Sequence, residues 1–92
     1  MIRLNCGLIA ETDENRKKAV ELAKELVSFS LRDKGCIDYD ILGSLTNSDR
    51  LVIYETWENE ADLKAHMESE HFKRLVPEIE KYATLTLEKF NF

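Results

Sequence analysis

Residues 36–57 read CIDYDILGSLTNSDRLVIYETW, and this stretch decides the fold. Cys36 to Leu42 alternates as a strand, with Ile37, Tyr39 and Ile41 on one face. Gly43 to Asp49 holds Ser, Thr, Asn and Asp, the residues that favour turns. Arg50 to Trp57 is rich in β-branched and aromatic residues and reads as a further strand. The short connection makes the pair a hairpin. An antiparallel sheet with one wet face alternates cleanly between apolar and polar residues. Here Leu51, Ile53 and Trp57 fall on one side, but Val52 and Tyr54 fall on the other. Helices of one small domain cover only one face of a sheet, so the second face calls for another copy, and a symmetric homodimer is expected. Against that stands the commonness of exposed apolar residues on monomers.

Outward from the hairpin the same logic repeats. In Met1 to Glu11, Ile2, Leu4, Cys6 and Leu8 alternate with Arg3, Asn5, Gly7 and Ile9, giving a first strand. Thr12 and Asp13 supply capping oxygens. Ala19, Leu22, Ala23 and Leu26 then recur at helical spacing, and the helix is expected to end near Lys34-Gly35. After the hairpin, Asn59 caps a short helix and Ser69 caps another, with Pro77 as a kink or restart. Thr84 to Phe92 alternates again. The order β-α-β-β-α-β defines an α+β, ferredoxin-like single domain over residues 1–92.

Composition narrows the function. At 43% hydrophobic and 34% charged residues the 92-residue chain is globular in character. A net charge of −5, with basic residues interleaved among acids, speaks against nucleic acid. Cys6 and Cys36 form no CxxC pair, and no run approaches a membrane span or a leader peptide, so a cytoplasmic protein with reduced thiols and no membrane partner is expected. Flavin and phosphate-loop fingerprints are missing.

Three segments carry a family resemblance: Gly35-Cys36-Ile37-Asp38-Tyr39, Tyr54-Glu55-Thr56-Trp57-Glu58-Asn59, and Ala61 to Phe72 with its His66, Ser69, His71 and Phe72. Together they resemble the antibiotic biosynthesis monooxygenase family, with Lys34 where that family usually has Pro. The resemblance implies a dimeric α/β barrel. It also implies cofactor-independent oxidation of a small phenolic or quinol ligand by O2, without metal or flavin. A Trp at the place of Trp57 lines the substrate cavity of the family's polyketide oxygenases; their Asn and Tyr partners are replaced here by Ile53 and Leu63. Haem-degrading relatives use an Asn near Asn5, but their Trp and His correspond to His66 and Val76, which argues against haem.

The candidate site follows. His66 is the expected base or orienting group, since imidazole carries protons near neutral pH, and Asn5 the group that holds a substrate oxygen. Trp57 and Phe72 would grip the ring, with Tyr54, Tyr39 and His71 around it. Each aromatic has a competing reading as plain core, and His71 one as a local bond at a helix start. Five residues separate the histidines, so helical spacing does not join them into a metal site. Glu55, between apolar neighbours on the face of Trp57, reads either as a proton acceptor or as half of an ion pair. Two other functions remain open. One is isomerisation of a small phosphorylated signal, with Arg3, Arg50 and Arg74 as scattered cations. The other is a ligand-binding dimer without chemistry.

Overall fold

A computed structural model describes residues 1–92. Strands β1 (Ile2–Ile9), β2 (Cys36–Gly43), β3 (Arg50–Trp57) and β4 (Thr84–Asn91) form one sheet in the order β2-β3-β1-β4, every neighbouring pair antiparallel. Helix α1 (Asp13–Ser30) joins β1 to β2, while α2 (Glu60–Met67) and α3 (Glu70–Ile79) join β3 to β4. This is the ferredoxin-like arrangement, with the second crossover split into two helices.

Capping chemistry sets the helix starts. Thr12 Oγ1 accepts the Asn15 N–H at 3.0 Å, Asn59 Oδ1 accepts that of Asp62 at 2.9 Å, and Ser69 Oγ accepts that of Phe72 at 3.2 Å. Ser69 therefore starts α3 as the sequence suggests, and Pro77 lies within α3 rather than restarting it. The end of α1 differs from expectation. The helix stops at Ser30, and a turn of tighter bonds (Arg32 N to Phe29 O, Cys36 N to Asp33 O) leads to Gly35. Gly35 serves that turn with a φ of 78°, and a Cβ there would run into the Asp62 side chain, 2.6 Å from its Cβ.

One strand face is also corrected. The β2–β3 pairing slips between Cys36 and Asp38, a bulge that sets two residues of β2 against one of β3. Cys36, Tyr39 and Ile41 consequently turn towards the helices, and Ile37 is turned out, 53% exposed.

Leu4 and Leu8 of β1, Ile53 and Trp57 of β3, Ala19, Ala23 and Leu26 of α1, and Leu75 and Ile79 of α3 form one buried cluster. Each large side chain buried there stabilises by roughly 1.5–3 kcal/mol. The alanines of α1 allow it to sit close against its neighbours. No helix covers the opposite sheet face. That face carries Ile9, Leu42 and Phe90, all exposed, and a concavity of about 700 Å³ whose walls include Asn5, Gly7 and Val52. No helix is long and apolar enough to cross a membrane.

Candidate functional site

Between the sheet and the helices lies a second cavity, of about 210 Å³. Its walls are almost wholly apolar: Leu4, Ile53 and Leu85 from the sheet, and Leu26, Phe72 and Val76 from the helices. Tyr39, Cys6, Glu55 and Glu80 add the polar atoms.

Glu55 is the unusual member. The alternation of β3 points it inward between Ile53 and Trp57, and the residue is only 6% exposed. It has no cationic partner. Trp57 Nε1 donates to its Oε1 at 2.9 Å, and the Tyr39 hydroxyl stands by as a second donor. Burial raises its pKa from 4.5 to about 7, and these two donors restrain the rise. A carboxyl that titrates near neutrality on an apolar cavity wall suits proton transfer. The alternative of an ion pair with Lys or Arg across the sheet is not formed within the chain. Tyr39, buried, has its own ionisation pushed above the usual phenol range, so its hydroxyl remains a donor. Burial pushes the thiols of Cys6 and Cys36 up to about 11, so neither is a thiolate at neutral pH.

The expected site residues divide into three groups. Tyr39 and Phe72 line the cavity. Trp57, fully buried, and His66, 2% exposed, stand behind its wall. Their rings are 4.6 Å apart, and the His66 ring lies 5.4 Å from that of Tyr39 and 5.2 Å from that of Phe72. Trp57 therefore acts on the cavity through its bond to Glu55. Asn5 and Tyr54 belong to the helix-free face, because β1 and β3 turn them away from the helices. There the Arg3 guanidinium lies 4.6 Å from the Tyr54 ring centre, and the Tyr54 hydroxyl bonds Asp38. The sheet thus separates Asn5 from His66, and the two do not face one substrate in one subunit.

His66 and His71 meet, although their spacing along a helix argued against it. The chain breaks between α2 and α3, so helical spacing does not apply. Both bond the same carboxylate oxygen of Asp33, in the turn after α1: His66 Nδ1 at 2.8 Å and His71 Nε2 at 2.7 Å. Burial lowers the pKa of His66, with Asp33 opposing that shift. Its Nε2 is buried without a polar partner. His71 also stacks on Phe29 at 5.6 Å.

The cations expected for a phosphorylated substrate are dispersed. Arg74 is exposed on α3, paired with Glu25 and Glu70, and Arg50 belongs to the helix-free face. None reaches the cavity.

Comparison with known proteins gives a consistent picture. The family described as antibiotic biosynthesis monooxygenase matches residues 9–78. A Bacillus subtilis (strain 168) protein named "Putative monooxygenase YcnE" is 32% identical over 63 residues, 68% of this chain. That match spans 66% of the relative's own length, just under two thirds. The crystal structure of a conserved protein of unknown function from Bacteroides thetaiotaomicron VPI-5482 superposes with a TM-score of 0.95 at 45% identity, covering 99% of this chain and 96% of that one. A point mutant of SnoaB, a cofactor-independent oxygenase from Streptomyces nogalater, superposes with a TM-score of 0.88, covering 99% and 91%. At 10% identity that likeness shows the fold alone.

Proposed function

From a chain that belongs to the antibiotic biosynthesis monooxygenase family, we propose an enzyme that oxidises a small quinol or phenol with O2 in the cavity between sheet and helices, with no metal or flavin in the reaction. The observation that carries this reading is Glu55, a buried carboxyl titrating at about 7 on an otherwise apolar wall.

Size narrows the substrate. A dry cavity of roughly 150 Å³ accepts benzene, so about 210 Å³ suits one aromatic ring. Such a substrate enters as a neutral hydroquinone. Glu55 takes a proton from its hydroxyl, and the resulting anion is electron-rich enough to reduce O2 directly. One oxygen atom ends on the ring, the other leaves as water, and a hydroxyquinone forms. The substrate supplies all four electrons, so no external reductant is consumed. Proton transfer from a well-placed base contributes roughly 10²–10⁴-fold. The Tyr39 hydroxyl turns its one proton from Glu55 to the developing anion, Phe72 packs on the ring, and the apolar walls exclude water. His66 positions Phe72 and Trp57 from behind.

The helix-free face pairs with a second copy in this reading, through Ile9, Leu42, Val52 and Phe90. Asn5 then lies at the subunit boundary. The test is oxygen uptake by chelator-treated protein against a panel of single-ring hydroquinones at pH 6 to 9. Turnover of at least one, with uptake and product in equal amounts, is expected. No uptake over background for any member overturns the reading.

A further inference from the structure

We propose that Asp33, His66 and His71 form a binding site for a divalent first-row transition ion of the zinc class, separate from the cavity and from its reaction. The three come from the turn after α1, the last turn of α2 and the first turn of α3. Their ligand atoms, one carboxylate oxygen and two imidazole nitrogens, all lie within 4.8 Å of one another. Two imidazoles with one carboxylate, and room for water as a fourth ligand, is a known zinc donor set; magnesium and calcium prefer oxygen alone. A tetrahedral ion about 2.1 Å from each donor holds its donors roughly 3.4 Å apart. Asp33 Oδ2 now sits 2.8 and 2.7 Å from the two nitrogens, so these two pairs open by a fraction of an ångström to admit the ion, while the two nitrogens, within 4.8 Å of one another, draw together by a turn of the partly exposed His71 ring.

Three further observations favour a cation here. Asp33 pairs with no Lys or Arg; the two histidines are its only side-chain partners. The imidazoles are already oriented by aromatic rings, His66 by Trp57 and Phe72, His71 by Phe29. That packing limits how far either ring must turn when an ion binds. Finally, His66 Nε2 is buried with no polar partner. While Nδ1 carries the proton for Asp33, Nε2 holds a bare lone pair among aromatic rings. With a cation on Nδ1 the proton moves to Nε2, where an N–H is better accommodated by aromatic faces. The side chains of Asp33 and His71, 20% and 13% exposed, leave an entry route for the ion and its water. Bound there, the ion fastens the α1 turn to the α2–α3 junction, which carries Phe72 of the cavity wall. The inference does not depend on the oxidation chemistry.

The test is titration of the EDTA-treated, dialysed full chain with Zn(II) by calorimetry and with Co(II) by visible absorption. One ion per chain is expected, with a Co(II) ligand-field spectrum. Asp33→Asn and His71→Gln, which keep side-chain size, are each expected to weaken binding at least about tenfold. The Cys6→Ser, Cys36→Ser double variant is expected to bind as the wild type does. Should either ligand variant fail to fold, nitrogen-15 NMR of wild-type histidines decides the matter. The chain has only two, and both must shift at one equivalent of Zn(II). No calorimetric heat and no Co(II) spectrum overturns the site. So does binding that survives both ligand substitutions, or binding that leaves either histidine unmoved.

Discussion

Replacing Glu55 by Gln separates the stability of the fold from its chemistry. Glu55 is a carboxyl whose folded pKa lies above its unfolded value, so the folded state holds its proton longer than the unfolded chain does. Between pH 4.5 and about 7 the native state binds more protons, and stability falls as pH rises through that window. The interval between 4.5 and about 7, at ~1.4 kcal/mol per pH unit, gives a penalty of about 3 kcal/mol fully present above pH 7. Gln keeps the volume and an acceptor for Trp57 Nε1–H, and it removes the buried charge. E55Q is therefore expected to match wild type near pH 4.5 and to exceed it by about 2–3 kcal/mol at pH 8. His66 acts with the opposite sign: its lowered pKa makes stability rise with pH up to about 6.5. The difference between the E55Q and wild-type curves cancels that contribution. Urea unfolding at fixed protein concentration, followed by fluorescence of the single tryptophan, measures it; oxygen uptake on the same samples measures the chemistry. The variant is expected to be more stable yet slower by roughly 10²–10⁴-fold. Parallel stability curves from pH 5 to 8 would refute the buried-charge argument. A fully active E55Q would refute its role as base.

Other substitutions probe the remaining arguments. Gly35→Ala meets both a positive φ and the Asp62 side chain, and is expected to cost at least about 2 kcal/mol in denaturant unfolding. Ser69→Ala removes the cap of α3 and the 2.6 Å bond from Ser69 Oγ to the His66 carbonyl; a loss of about 1–2 kcal/mol is expected in the same assay. Trp57→Phe withdraws a donor from Glu55, so the alkaline rise of the activity profile should move to higher pH, read from kcat/KM against pH. In light scattering the wild type is expected at twice the 10.7 kDa chain mass, and Val52→Asp, on the helix-free face, at the mass of one chain.

What the sequence determined by itself was everything local. Alternation located three strands and β-branched and aromatic content the fourth, Arg50 to Trp57, and Thr12, Asn59 and Ser69 declared the helix starts, because capping depends on residues three positions apart. The mixed composition of β3 marked a sheet with apolar residues on both sides, and the inward placement of Glu55 followed from its parity with Trp57. The tertiary structure decided what lies across the fold. A single slipped residue in β2 reversed Ile37, since strand parity has no memory of a bulge. The chemistry of its amide suggests Asn5 for the pocket, but the odd positions of β1 place it on the other side of the sheet. The meeting of His66 and His71 on Asp33 brings together residues 33 and 38 positions apart. No periodicity encodes such a meeting, because it depends on how one turn packs against the break between two helices. The raised pKa of Glu55 is of the same kind: its position is written in the strand, but its environment is made by Tyr39, Trp57 and the helices that keep water away.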